Sequence, residues 1–164
     1  MSAAITGEEF RRVLSHLPTG VAVITGDGPA GPTGLAANSV TSVSLDPPLI
    51  LFCPARTSET WPSLRDSARF CINVMADSHA ELTRRFARKG IDRFAGVDWA
   101  PRATGPGLVD AVAWVECNLR EEHDAGDHTI VVADVLAIES ATKQERLPLV
   151  FFRGRYGTFI APEA

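Results

Sequence analysis

Two adjacent prolines, Pro47 and Pro48, interrupt an extended stretch that runs from Gly34 to Cys53. Neither can donate a backbone hydrogen bond, so a strand ladder has to stop there. The stretch therefore reads as two β-strands broken at Asp46-Pro47-Pro48. The second, Leu49 to Cys53, is apolar throughout and reads as core. The first carries four hydroxyls within six residues, Ser39, Thr41, Ser42 and Ser44. Alternation along a strand puts Ser39 and Thr41 on one side and Ser42 and Ser44 on the other. Short neutral donors and acceptors suit a backbone that approaches a polar planar ligand. They equally suit a Ser/Thr-rich edge strand.

Upstream, Thr6-Gly-Glu-Glu9 has capping-box spacing, and Phe10, Val13, Leu14 and Leu17 follow at helical intervals. The pattern predicts a short amphipathic helix ended by Pro18. Val21 to Thr25 is β-branched and predicts the first strand. Gly26-Asp-Gly-Pro-Ala-Gly31 matches a three-glycine dinucleotide fingerprint, but Pro32-Thr33-Gly34 and a strand follow it. The fingerprint works only with a helix next, because the helix N-terminus binds the pyrophosphate. A loop or hairpin turn is the better reading.

Farther on, Ser58 to Arg65 predicts a short helix with Trp61 and Leu64 inward and Pro62 in its first turn. Phe70 to Met75 reads as a buried strand. Ser78 and Glu81 have the spacing of a second capping box, and the helix after it ends at Lys89-Gly90 with glycine as the cap. Asp92 to Pro106 reads as a long loop containing Trp99. Val112 to Glu122 and Ile130 to Ile138 are paired strands, with His123-Asp-Ala-Gly-Asp-His128 as the turn. Leu149 to Phe152 and Tyr156 to Ile160 form a last pair, joined by Arg153-Gly-Arg155. Many antiparallel strands with two or three short helices favour a mainly β barrel over a doubly wound sheet.

Composition bounds the function classes. The 164 residues suit a single domain with a real core. Sixteen basic and twenty acidic residues give a net charge of −4, which argues against nucleic acid as the main partner. Cys53, Cys71 and Cys117 are odd in number and lie in apolar segments, so buried thiols in a reduced, cytoplasmic protein are expected. The N-terminus lacks the basic region and apolar run of a secretory leader, and no apolar run reaches membrane-spanning length. His123, Asp124, Asp127 and His128 form the only dense His/Asp cluster. Taken alone it reads as a solvated turn; a metal site is weak at this spacing.

Four segments occur in a telling order: Pro18-Thr-Gly-Val-Ala-Val-Ile-Thr25, Ala37-Asn-Ser-Val-Thr-Ser-Val-Ser-Leu-Asp-Pro-Pro48, Asp92-Arg-Phe94 and Gly126-Asp-His128. From about Phe10 to Tyr156 the chain resembles the flavin reductase-like family, the small reductase components of two-component flavin monooxygenases. The long second segment is the most specific. The resemblance implies an FMN-binding split β-barrel, generally a homodimer with sites near the interface. It also implies an NAD(P)H:flavin oxidoreductase that reduces FMN or FAD with NADH or NADPH and supplies a separate flavin-dependent monooxygenase.

Carried onto matching residues, the resemblance places Ala37, Asn38, Ser39, Ser42, Val43 and Ser44 at the flavin. The neighbouring loop Pro54-Ala55-Arg56-Thr57-Ser58 is expected beside it, with Arg56 and Ser58 near phosphate or ribityl oxygens. Arg88 and Lys89 are second candidates for the phosphate; a solvated helix end explains them equally. Within the motif series, Gly126, Asp127 and His128 become nicotinamide contacts, with His128 positioning the ring. Tyr156 could reach the site, although an ordinary strand residue is its default. Arg153 and Arg155 are possible partners for an NADPH 2′-phosphate. No metal is expected. A flavin-storing or sensing protein of the same fold, without turnover, is the main alternative. Reduction of another acceptor by tightly bound flavin is the second.

Overall fold

The computed structural model describes residues 4–141 and 146–161. Residues 1–3, part of the stretch read for a leader, fall outside them. Among these described residues, three helices accompany twelve strands: α1 (Gly7–Leu14), β1 (Thr19–Gly20), β2 (Ala22–Gly28), β3 (Gly31–Ala37), β4 (Thr41–Leu45), β5 (Pro48–Phe52), α2 (Trp61–Ser67), β6 (Arg69–Val74), α3 (Ala80–Phe86), β7 (Trp99–Arg102), β8 (Gly105–Leu108), β9 (Ala113–Ala125), β10 (His128–Ser140), β11 (Leu149–Phe152) and β12 (Arg155–Thr158). The large sheet has the order β3-β2-β6-β9-β10-β5-β4, and every pairing in it is antiparallel. A small sheet has the order β1-β11-β12, and β7 pairs β8.

The topology dictates the shape. β3 and β4 are the two outer strands of seven, yet only Asn38, Ser39 and Val40 join them. Laid flat at the usual strand spacing, the outer strands would stand roughly 29 Å apart. The link can span only about 14 Å fully extended. The sheet therefore curls until its edges approach, without pairing β3 to β4. This is the split barrel that the strand pattern and the resemblance predict. It also corrects one reading: the strand expected to run from Gly34 to the proline break is two strands on opposite edges. The break itself is a turn at Asp46-Pro47, after which β5 starts at Pro48.

β2 shows why its sequence lacks alternation. Ala22 and Ile24 enter the core inside the curled sheet with Phe52, Trp61, Leu64, Phe70 and Ile72. Val21 and Val23 pack outward against Met75, Phe86, Leu108 and Leu149. Both faces are covered, so both must be apolar. Helix α2 plugs the inner core with Trp61 and Leu64, as its sequence predicts. Trp61 meets Phe52 edge-on at 5.3 Å, and Phe52 meets Phe70 at 5.4 Å. The indole N–H of Trp61 donates to Glu122 at 2.8 Å. The polar end of the ring is thereby satisfied while its body is buried.

The glycine-rich stretch is a hairpin. Gly28 pairs Gly31 across Pro29-Ala30, and Gly31 has φ +118°. Gly26 serves packing: a Cβ there would lie 2.6 Å from Leu64. Gly105 lies against it, since a Cβ on Gly105 would come 2.7 Å from the Gly26 Cα. That approach belongs to β8, in a region whose sequence reads as loop. Asp92 to Pro106 instead contains β7 and the start of β8, because the hairpin is held by a buried polar knot. Asn73 Nδ2 donates to the Val23 carbonyl and to Thr25 Oγ1, both at 2.9 Å. Its Oδ1 accepts from Leu108 N–H at 2.7 Å.

Several boundaries differ from expectation. The capping box at Thr6 and Glu9 forms, and hydrogen bonding from Thr6 holds the Glu9 carboxyl below the usual range. The apolar face of α1 is exposed, however, with Phe10 and Val13 each 56% accessible. Ser78 and Glu81 make no capping box. A 3-10 turn at Asp77–His79 precedes α3, and the Ala76 N–H donates to His79 Nδ1 at 3.4 Å. Helix α3 ends at Phe86 with Ala87 as its cap, three residues before Gly90. His123 and Asp124 are in strand β9, and the turn is only Gly126-Asp127, with Gly126 at φ +66°. No described helix is long and apolar enough to cross a membrane.

Asn73→Leu should destabilise the protein by about 1–3 kcal/mol, because the Leu108 N–H loses its acceptor in a dry site. For a chain of this length that is a fall in melting temperature of about 2–4 °C per kcal/mol. Thermal unfolding followed by circular dichroism measures it; an unchanged midpoint would mean that the knot does not hold the hairpin.

Candidate active site

Where the curled edges face each other, a cleft of about 260 Å³ opens over the 38–40 link. One wall is the end of β3 and the link, from Leu35 to Ser39. Ser39 fastens this wall to the other side, its Oγ accepting from Cys53 N–H at 2.8 Å. Ser39 thus ties the link to the end of β5 as well as facing the cleft.

The opposite wall is the segment after β5. Pro54 to Arg56 runs along the start of β10: Thr129 N–H donates to the Pro54 carbonyl at 3.0 Å, and Arg56 N–H donates to the Asp127 carbonyl at 2.9 Å. Ala55 and His128 sit opposite each other in this ladder. That pairing brings His128 into the cleft with Pro54, Ala55, Thr57 and Ser58. His128 Nδ1 lies 2.8 Å from the Asp127 carboxylate, and hydrogen bonding from His128 holds the Asp127 pKa below its ordinary value. In the tautomer that donates from Nδ1, Nε2 is the acceptor facing away from Asp127. Ser58 Oγ accepts from the N–H groups of Thr60 and Trp61 at 3.3 and 3.1 Å, leaving its own proton free to donate.

The positive end of the cleft is Lys89 and Arg93. Lys89 Nζ donates to the Thr57 carbonyl at 2.8 Å. Arg93 ties three walls together: Nε donates to the Arg88 carbonyl at 2.6 Å, and Nη1 donates to the Gly34 carbonyl at 3.0 Å and to Thr60 Oγ1. Burial lowers the Arg93 pKa from its ordinary value, while nearby Glu59 acts in the opposite sense. Glu59 is the one carboxylate on the described cleft walls. Arg93, Glu59 and Cys53 carry no assignment from sequence. Arg93 lies inside the Asp92-Arg-Phe94 segment, and that was the signal available for it.

Other candidates sit elsewhere. Arg56 turns away from the cleft and pairs with Asp124 at 3.1 Å, with a further contact to the Gly126 carbonyl at 3.4 Å. Its backbone pairs with Asp127, so the alternation of the strand sends its side chain to the far side of the loop. Arg88 is exposed and offers its carbonyl to Arg93. Ser42, Val43 and Ser44 lie on the outer strand β4, where a bulge between Ser42 and Ser44 breaks the regular alternation. Gly126 and Asp127 form the turn behind His128. Tyr156 packs on Phe151 with the Arg84 guanidinium 5.1 Å from its ring centre, in a separate depression that Arg153 and Arg155 also border. Arg153 Nη2 is 2.8 Å from His16 Nε2. Of the His/Asp cluster, His123 faces Glu121 at 3.6 Å and Asp124 faces Arg56, so its four members do not converge.

A model of the flavin reductase like domain matches residues 14–159. The chain is 39% identical over 164 residues to the flavin-dependent monooxygenase reductase subunit HsaB of Mycobacterium tuberculosis, covering 99% of this chain and 87% of that one. A crystal structure of a nitrilotriacetate monooxygenase component B homolog from Mycobacterium thermoresistibile superposes with a TM-score of 0.90 at 36% identity, covering 96% and 90% of the two chains. The NADH:FAD oxidoreductase SgcE6 of Streptomyces globisporus, in complex with NAD and FAD fragments, gives 0.88 at 33% identity, covering 99% of each.

The three free thiols should differ sharply in reactivity. Burial pushes Cys71 and Cys117 up to about 12, so neither forms thiolate near neutrality. Cys53 is only partly buried; burial raises its pKa, and the hydrogen bond with Ser39 acts in the opposite sense. A thiol reagent at pH 8 should label one cysteine in the native protein and three after denaturation, with peptide mapping assigning the first to Cys53. Native labelling of Cys71 or Cys117 would contradict the packing.

Proposed function

The chain belongs to the flavin reductase-like family, and from that premise we propose that the cleft between the curled sheet edges is where flavin and nicotinamide meet. The protein is an NAD(P)H-dependent flavin reductase whose reduced flavin serves a separate flavin-dependent monooxygenase. When both ligands are bound, the chemistry they supply is hydride transfer from nicotinamide to flavin, which needs no protein nucleophile.

The cleft fits a flavin on one observation above all: its walls are neutral and small where a ring would lie, and its two cations are gathered at one end. Leu35 to Ser39 and Cys53 to Ala55 offer backbone groups, small side chains and no charge. Neutral dipoles favour charge developing on a ring without binding it beforehand. Lys89 and Ser58 are the donors placed for a phosphate, and Arg93 fixes the walls around them. Arg56, held by Asp124, is not. His128, steadied by Asp127, positions the nicotinamide by accepting from its carboxamide through Nε2. Hydride transfer moves no proton at that step, so His128 need not act as an acid or base.

The cleft volume is below the usual ligand pocket of about 300–1,000 Å³, so one chain encloses only part of the ring. Exposed apolar side chains on α1, with Val43 and Leu45 on the outer strand β4, support a homodimer that completes the enclosure. Leu45 is 93% exposed in the single chain, an unfavourable state for a large apolar group. Three free thiols suit a reducing compartment such as the cytoplasm.

Steady-state oxidation of NADH and NADPH with FMN, FAD and riboflavin tests the central reading; no oxidation and no change in flavin fluorescence on titration would end it. Lys89→Ala should weaken FMN by roughly 1.5–3 kcal/mol and spare riboflavin, because a charge-assisted contact is lost only when phosphate is present. Arg56→Ala should treat the two flavins alike. His128→Ala should raise the Michaelis constant for NADH and leave flavin dissociation nearly unchanged; selective loss of flavin would reverse its assignment. Light scattering should return twice the 17.6 kDa chain mass, and Leu45→Glu should shift it toward the single chain.

A further inference from the structure

A carboxylate at the anion-binding end of a cleft works against the ligand unless a cation neutralises it. Glu59 is the one carboxylate on the described cleft walls, and it stands at the end where Lys89 and Arg93 are gathered. We propose that Glu59 tempers the positive charge at the phosphate end, so that flavin is held loosely enough to exchange and reduced flavin leaves the protein. The proposal rests on the flavin reductase reading of the cleft.

Three features carry it. The first is position. Both neighbours of Glu59 are anchored. Ser58 Oγ accepts from the N–H groups of Thr60 and Trp61, and the buried Thr60 offers its Oγ1 to Arg93. The backbone of Glu59 is therefore fixed beside the phosphate donors while its side chain is exposed. The second is the lack of a pairing partner. Among the described residues the Glu59 carboxylate forms no ion pair with either cation. Lys89 Nζ donates to the Thr57 carbonyl, and Arg93 Nε and Nη1 donate to Arg88, Gly34 and Thr60. Its charge is felt at Arg93 all the same: burial lowers the Arg93 pKa and Glu59 acts against that. Glu59 thus tempers the cations without holding them in place. The third is the sum of charges. Two cations and one carboxylate leave one positive charge at that end. A phosphomonoester carries nearly two negative charges at pH 8. Coulomb energy scales with charge, so the carboxylate opposes a dianion twice as strongly as a monoanion and leaves an uncharged flavin alone. A flavin that serves a separate monooxygenase has to be released at each turnover, and a fully cationic phosphate site would retain it.

The test is a charge series on both sides of the contact. Riboflavin, the monomethyl phosphate ester of FMN and FMN itself present zero, one and nearly two negative charges at pH 8. Their dissociation constants are measured by flavin fluorescence at low salt on the wild type, Glu59→Gln and Glu59→Asp, with FMN dissociation followed by stopped flow. Glu59→Gln should bind FMN about two- to fivefold tighter. The gain for the methyl ester should be about the square root of that for FMN, and riboflavin should gain nothing. The FMN dissociation rate should fall in step with the gain, and added salt should shrink it. Glu59→Asp keeps the charge and should track the wild type. Glu59→Lys reverses the charge at the same exposed position and should enlarge the gain; it serves if Glu59→Gln lowers the melting temperature. The proposal is overturned if removing the charge leaves FMN no tighter, if riboflavin gains as much as FMN, or if Glu59→Asp gains as much as Glu59→Gln. A wild type that binds no flavin, or a Lys89→Ala variant that weakens riboflavin as much as FMN, would instead overturn the reading of the cleft.

Discussion

Everything in this molecule follows from a link that is too short for a flat sheet. Three residues connect the first and last strands of a seven-stranded order. The sheet twists and curls to satisfy that distance, and the curl creates both an enclosed core and a seam. The seam is the cleft. Ser39 is where the two roles coincide, since its hydroxyl accepts the N–H of Cys53 from the far side of the seam. A backbone group that has lost its ladder partner at the end of β5 is thereby satisfied, at the place where a ligand would approach.

The inner core alone would leave the outer face of β2 and β6 open. Helix α3, the small sheet and the β7–β8 hairpin cover it, and each is attached differently. The hairpin is pinned by Asn73 and by the close approach of Gly105 to Gly26. The small sheet joins through Leu149, whose N–H donates to the Met75 carbonyl at 2.9 Å. Arg93 joins the segment after α3 to β3 and to Thr60 at the start of α2. These attachments are polar and directional, so they fix position where apolar contacts alone would allow sliding. The cleft inherits that rigidity, because its walls are the elements that Arg93 and Ser39 hold.

Charge is distributed with similar economy. Arg56 is paired with Asp124, and Arg102 with Glu139 at 2.8 Å while lying over Trp114. Lys89 contacts only a neutral carbonyl among the described residues, which leaves its charge uncancelled beside Ser58. Anion recognition depends on such uncancelled charge more than on the number of cations nearby.

How much of this was legible in the chain can be read residue by residue. Local chemistry announces local structure: Thr6 and Glu9 capped a helix, Trp61 and Leu64 turned inward, Pro29-Ala30 made a turn, and the proline pair marked the turn at Asp46-Pro47. The ordered motifs carried the family and the barrel. The hairpin within Asp92 to Pro106 was illegible because Asn73, on a distant strand, holds it. The exposed face of α1 was illegible because periodicity reports an apolar stripe and says nothing of what covers it. Arg56 looked like the phosphate cation by its loop and its charge, but its direction was decided by pairing with Asp127, about seventy residues away. Arg93 drew no assignment, although it lies in a motif, because its importance is three carbonyl and hydroxyl partners from separate elements. The sequence by itself determined the elements whose cause is local, such as the Thr6–Glu9 cap and the Pro29-Ala30 turn, since those depend on neighbours a few bonds away. Only the tertiary structure decided which cation faces the cleft, since side-chain direction is set by register between strands that meet only when the sheet curls.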